Sequence, residues 1–414
     1  MSAYSSSPIT LLAARSGPQS EDADAAGKDL VGRDLLVALA KVPDPRKARG
    51  VRHRLVTVLA AAVCAVLAGA RSYVAIAEWT RDLPVGVRLR LGLGRCAPSE
   101  STIRRILQAV DAQALDTVVS DWLAHRVASS TASCPASAVV KPSQARSSLP
   151  RAVAVDGKAV RGARGINGRP AHLFAAFDHR SGVVLGQSEV EGKTNEITAF
   201  APLLDRLDLA NVVITADALH TQDRHATYLH ERGGHYVFIV KGNRPKLRAQ
   251  LAGLPWRDIP AANTRCGKGH GRAESRILKL AAISDQTSTG IMFPHARLAA
   301  QIMRRRRQAT SSGPSTWHTE TVYAVTDLGW DHIRADHLAE IIRNHWSIEN
   351  RLHWIRDVTF AEDHSQIPTG NGPAVMATLR NFSVSRHRID GQNNIAPACR
   401  HAGRHPIRAA NLLT

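Results

Sequence analysis

The sequence predicts an α/β protein: a mixed sheet with flanking helices and a β-rich insertion, preceded by a small helical domain. Three observations carry this. Residues 30–123 show helical apolar spacing, and residues 151–240 alternate strand and helix patterns. Between them, residues 128–150 are rich in Ser, Ala and Pro and read as a linker.

Residues 1–28, rich in Ser, Ala and Asp, read as a disordered N-terminus without a signal-peptide pattern. The helical domain then spans residues 29–127. GRDLLVALAKV has helical spacing and is broken by the two prolines of VPDPRKARG. The uncharged run 55–69, LVTVLAAAVCAVLAG, is too short for a membrane span of roughly 20 residues and is expected to be a buried helix. SYVAIAEWTRDLP is a short amphipathic helix stopped by Pro84. PSESTIRRILQAVD offers N-caps at Ser99 and Ser101, buries Ile103, Ile106, Leu107 and Val110, and turns Arg104 and Arg105 away from that face.

From Arg151 the period changes. RAVAVDGKAVRG alternates as a strand, and AHLFAAFDHRSGVVLGQSEV reads as a hairpin turning at Arg180-Ser181-Gly182. TNEITAFAPLLDRLDL is a helix starting at Thr194 or Asn195, with Ile197, Phe200, Leu203 and Leu204 inward. ANVVITADAL is the continuous apolar strand of a sheet covered on both faces. A helix closed by Gly233 and the strand HYVFIVKG follow. Residues 250–330 form the β-rich insertion, with short strands in SRILKLAAIS, RLAAQIMRRR and TVYAVTDL. A helix is expected without interruption from Arg334 to Ile355, and another around PAVMATLRNFSVSRHR. The domain from 151 ends near residue 390, and residues 391–414 read as an irregular basic tail.

The 414 residues carry 54 Lys plus Arg against 35 Asp plus Glu, a formal charge of +19. Arg presents a planar fork that matches phosphate oxygens, and a basic surface gains affinity by releasing counterions from a polyanion. Nucleic acid is the first partner this implies, although an Arg-rich composition also follows from a GC-rich genome. The five cysteines are odd in number and scattered, without a C-x-x-C spacing, which argues against a disulfide framework and fits a reducing, cytoplasmic setting.

In so basic a chain, isolated acids on apolar elements stand out. Asp156 sits inside the apolar strand AVAVDGK, and Asp217 ends NVVITAD. A charge beside a buried strand is costly unless paired, so two carboxylates on one sheet suggest a shared cation. Each alone could instead cap a turn. Glu349 lies in RNHWSIENRLHWIRD, where helical spacing puts His345, Glu349, His353 and Asp357 on one stripe. That stripe reads either as a site or as a solvated row of ion pairs, and zinc on its histidines is a rival. Mg²⁺, with Mn²⁺ as a substitute, is the cation that a set of carboxylates favours. Basic residues surround the acids: Lys158, Arg161 and Arg164, then Lys241 and Arg244, the Gly-rich loop KGHGRAESR, and the run Arg304–Arg307. The run is either a solvated stretch or a nucleic-acid contact.

Taken in order, DPRKARGVRHRL, STIRRIL, AVDGKAVRGAR, KTNEI, ITADALHTQ, VKGNRPKL, KGHGRAESR and RNHWSIENRLHWIRDVTFAED are similar to the ISAs-one family of bacterial insertion-sequence transposases, of the DDE type. The resemblance runs from about Val42 to Leu413. It implies an RNase H-like fold with the insertion before the last acid, and Asp156, Asp217 and Glu349 as catalytic, metal-holding residues. It implies a helical N-terminal module that recognises DNA ends, double-stranded DNA (terminal repeats and target) as partner, and metal-dependent cleavage followed by strand transfer. Arg104, Arg105, Lys158, Arg161, Lys241, Arg244 and Arg356 are the expected DNA contacts, and His220, His345 and His353 possible accessories. A homo-oligomer on DNA is expected, with no membrane role. The wider group's tyrosine–arginine–glutamate–lysine signature falls on Ile342, His345, Glu349 and Arg356, so only its glutamate is retained. The rival readings are an endonuclease of the same fold without strand transfer, and a catalytically silent DNA-binding remnant.

Overall fold

The computed structural model describes residues 35–49, 51–94, 96–132, 150–164, 168–192, 195–269, 272–283, 290–308 and 316–413. The disorder expected for residues 1–28 and most of the expected linker lie outside these.

The N-terminal part is helical: α1 (Leu35–Leu39), α2 (Leu55–Leu67), α3 (Tyr73–Arg81), α4 (Val85–Arg90), α5 (Glu100–Ala109) and α6 (Ala112–Ala132). The Ser72 hydroxyl caps α3 by accepting the Ala75 N–H, and Ser99 caps α5 through Thr102. The uncharged run forms α2, which is buried along nearly its whole length. Among the described residues no helix is long and apolar enough to cross a membrane. Helix α6 continues through Ala132, beyond the expected end at 127, because its alanines and serines do not break a helix.

Next come β1 (Arg151–Arg164), β2 (Pro170–Asp178), β3 (Val184–Val190), α7 (Glu196–Leu204), β4 (Val212–Ala216), α8 (Asp223–Glu231), β5 (His235–Val240) and α9 (Pro245–Ala252). Four long strands follow: β6 (Asn263–Gly269), β7 (Arg272–Ala282), β8 (Leu298–Gln308) and β9 (His318–Thr326). Then come α10 (Ala335–Asn344), α11 (Trp354–Val358), α12 (Gly372–Ile389), α13 (Ile395–Arg404) and α14 (Pro406–Asn411).

The described strands form one sheet in the order β3-β2-β1-β4-β5-β9-β8-β7-β6. An antiparallel meander, β1 to β3, is joined by β4 and β5 running parallel to β1 and to each other. This is the RNase H-like arrangement the sequence implied. The insertion is β-rich, as expected, but β7 and β8 run to 11 residues each and its strands join the central sheet. Strand β9 pairs antiparallel with β5, so the central sheet continues through β8, β7 and β6.

Two further expectations are corrected. Residues 391–413 are not an irregular tail: most of them form α13 and α14, which return to the N-terminal part. Leu35 N–H bonds Leu413 C=O, and the Cys64 thiol bonds the Ala409 carbonyl deep in α2's environment. One apolar core runs from Leu35 through the sheet to Leu413. The helix expected over 334–355 is also interrupted. It turns at His345–Trp346, widens into a π turn at Glu349–His353, and resumes as α11. Such widened turns carry an extra residue in the ring and redirect the side chains they hold.

Candidate active site

Asp156 stands in the middle of β1, paired with Ala175 on β2, while Val155 pairs Ala216 at the end of β4. The next residue of β4's chain is Asp217, so the two aspartates leave neighbouring parallel strands side by side. Asp217 caps the short turn Ala218–His220, accepting the Leu219 N–H at 2.9 Å. Glu349 opens the π turn, and its side chain is well exposed.

One oxygen each of Asp156 and Glu349, and one ring nitrogen of His353, lie within 4.8 Å of one another. His353 is buried, and its Nδ1 is 3.1 Å from Glu349 Oε2 and 3.5 Å from Asp156 Oδ2. Asp217 lies outside this trio, but its charge reaches Asp156. Burial pushes the Asp156 carboxyl up to about 6; the His353 ring opposes this, while Asp217 and Glu196 add to it. The hydrogen bond from His353 instead holds Glu349 below the usual carboxylate range, helped by Lys158. Excess negative charge around a half-buried carboxyl, with a second carboxylate on an open rim, is what a hard divalent cation would satisfy.

The other sequence candidates divide into buried supports and exposed cations. Lys158 is buried, donating to Asp357 Oδ2 at 2.8 Å and to Asp363 Oδ1 at 3.3 Å, so its ammonium braces the site from within. Arg161 is exposed, with Asp363 at 3.7 Å. Lys241 is exposed just past the end of β5. Arg244 is committed to Asp223 at 2.5 Å and leans on the Phe293 ring. His345 is buried against Thr215 Oγ1 at 3.1 Å, and burial drives its pKa down to about 4. Arg104 and Arg105 are exposed on α5, tethered to Glu100 and to the Ser101 carbonyl of their own helix.

Arg356 is not a DNA contact. Its side chain is fully buried, donating to Glu362 Oε2 at 2.8 Å and Gln187 Oε1 at 3.2 Å. Arg380 takes the other oxygen of Glu362, also at 2.8 Å. Burial alone would raise the Glu362 carboxyl, but the two guanidiniums hold it to about 2. A cation at a helical position cannot be sorted into exposed or buried until the partner that neutralises it is known, and nothing local in the sequence marks Glu362 as that partner.

Glu196 was also missed. The helix α7 is turned so that Glu196, rather than Ile197, joins Phe200 and Leu203 on the buried side. Its carboxylate accepts from His172 Nε2 at 2.6 Å and from His220 Nε2 at 3.2 Å. Burial works upward on this group too, yet the two imidazoles hold it to about 2. His220 is thereby a support packed on Phe174, not an open ligand. A Cβ on Gly157 would fall 2.1 Å from Glu196 Oε1, so glycine after Asp156 is needed for this close approach. The spacing of Glu196 four before Phe200 was the available signal.

The fold is an RNase H-like sheet with one acid inside β1, a second just past the end of the adjoining β4, and a third on the π turn after α10. Residues 147–385, more than half of the chain, match the family model for a transposase DDE domain, and residues 36–123 match the DDE_Tnp_1-associated model. The chain belongs to the DDE transposase family. It is 28% identical over 371 residues to "Putative transposase YncI" of Escherichia coli O157:H7, covering 85% of this chain and 87% of that protein. It is 26% identical over 365 residues to "H repeat-associated putative transposase YhhI" of Escherichia coli K12, covering 85% and 90%. A protein of Xanthobacter autotrophicus, described as uncharacterized and in the dhlA 3′ region, is 32% identical over 241 residues, covering 57% and 76%.

Proposed function

We propose that this transposase cuts DNA at insertion-sequence ends and joins the freed 3′-hydroxyl to target DNA, using Mg²⁺ held by Asp156, Asp217 and Glu349. The observation that carries the reading is the convergence of Asp156 and Glu349 on one 4.8 Å cluster, with Asp217 at the adjoining strand end. When bound, Mg²⁺ supplies activation of the attacking oxygen and stabilisation of the leaving one. The protein's own groups do the rest. His353 donates to Glu349 and keeps its carboxylate turned toward Asp156. Lys158, fixed by Asp357 and Asp363, favours the ionised form of Glu349. Arg161 and Lys241 are exposed cations that DNA phosphates can reach. Two ends must be cut and joined in concert, which a homo-oligomer on DNA provides.

The test is incubation of the full chain with a duplex carrying an insertion-sequence end, a target duplex and Mg²⁺. The expected result is a strand nick at the end, followed by joined product. Asp217→Asn should remove both by orders of magnitude while the variant still binds the end. Cleavage without joining would favour the endonuclease; wild-type activity in Asp217→Asn would remove that residue from the set.

A further inference from the structure

The run Arg304–Arg307 lies on β8, where successive side chains leave opposite faces of the sheet. The strand therefore divides it. Arg304 and Arg306 share a face with Glu274 and Glu320, the two acids of β6 to β9. Arg304 donates to Glu274 Oε1 at 2.7 Å, and Arg306 lies 3.7 Å from Glu320. Arg305 and Arg307 leave the other face, where the neighbouring register positions on β7 are Ser275 and Ala273. Lys268 stands in the same row beyond Ala273. This face of the four strands' outer half has three cations and no acid.

Trp317, immediately before β9, joins the two arginines. Both guanidinium carbons lie 5.2 Å from its ring centroid, and the ring is 37% exposed. A ring between two cations attracts each and limits their freedom, so both forks are held ready at little entropic cost. Residues two apart on a strand are about 6.8 Å apart. That places two planar phosphate-binding forks in a row, fixed by one indole.

The position also matters. Val240, the last residue of β5, pairs with Tyr323, and Trp317 lies six residues before Tyr323, so it stands about 20 Å further along. It projects past the same end of the sheet at which β4 delivers Asp217. By register, Arg305 and Arg307 share the side of Val240 and Tyr323, opposite the side that Asp156 takes. The two are separate surfaces at one end of the sheet.

The geometry points to Arg305 and Arg307, braced by Trp317, as a clamp for successive backbone phosphates of duplex DNA, distinct from the acidic site. The occupant follows from charge complementarity, and its being DNA rests on the transposase reading above. Phosphate contacts of this kind position the duplex and carry no sequence preference.

The test is titration of the full-length protein with a short duplex of arbitrary sequence, from about 50 to 200 mM salt. Replacing both residues, Arg305→Gln with Arg307→Gln, should flatten the plot of log affinity against log salt by about 1.8, from 0.9 for each phosphate lost. Trp317→Leu should weaken binding while leaving that slope nearer wild type, because both charges remain. Arg304→Gln, already neutralised by Glu274, should change the slope little. A double variant that is folded by its melting temperature and keeps the wild-type slope overturns the clamp alone. A wild-type protein without salt-dependent DNA binding overturns both the clamp and the transposase reading of the partner.

Discussion

His353 Nδ1 bridges the two acids of the candidate site, 3.1 Å from Glu349 Oε2 and 3.5 Å from Asp156 Oδ2. A buried imidazole thus occupies the angle between two carboxylates that the family resemblance assigns to metal. It is either a ligand itself or a support that the cation leaves in place.

Those roles separate by cation. Mg²⁺ takes oxygen ligands, whereas imidazole suits softer first-row metals. Mg²⁺ should raise the melting temperature of the wild type by mass action, and Glu349→Gln should lose the rise. His353→Gln should retain it if His353 is a support. Loss of the Mg²⁺ effect in His353→Gln would make the ring part of the ligand set. Scanning calorimetry with and without the cation reads all three.

A second outcome concerns Asp156. Burial, with Asp217 and Glu196 nearby, lifts its folded-state pKa from 3.8 to about 6, so the fold binds this proton more tightly than the unfolded chain does. The contribution is therefore favourable at low pH and is lost as pH rises through about 6. Without metal, Asp156→Asn should melt higher than wild type at pH 7 and above, with the advantage fading below about pH 4. Adding Mg²⁺ should reverse the order, since only the carboxylate gains a ligand. A metal-free variant that melts lower than wild type at neutral pH would contradict the electrostatic account.

A third follows from the fully buried Arg356–Glu362–Arg380 group. Glu362→Gln leaves two guanidiniums without their anion and should cost about 3–5 kcal/mol of stability. Because the folded pKa is held to about 2, this stabilisation is present above the ordinary 4.5 and disappears as pH falls through about 2. Arg356→Met should likewise lower the denaturant midpoint, yet leave the salt slope of DNA binding unchanged per folded molecule. A reduced slope would restore Arg356 as a phosphate contact.

A fourth concerns α5. Arg104 and Arg105 are exposed and, among the described residues, are tethered within their own helix. Replacing both with Ala should weaken binding of an insertion-sequence end and reduce its salt slope by up to about 1.8. A gel-shift series over several salt concentrations reads this. If affinity and slope stay at wild type, the pair only solvates a helix face.

The sequence by itself determined the elements whose signals are local. Alternation marked β1, the apolar run marked β4 and α2, Ser99 marked the start of α5, and the helix stripe singled out Glu349 and His353. It determined the family as well, because ordered motifs survive as strings. Tertiary structure decided what depends on pairing across distance. Only the β5–β9 register made the insertion part of one sheet, and only the return of α13 and α14 onto α2 showed that the last residues close the core. Glu362 lies six residues from Arg356 and eighteen from Arg380, and its pairing with both turned an expected DNA contact into a buried support. Glu196 gained its role through His172 on β2 and His220 beyond β4. The physical reason is the same each time. A side chain's period along the chain fixes the direction in which it leaves its own element, but its charge acts according to what other elements bring within a few ångströms, where low local dielectric makes the partner decisive.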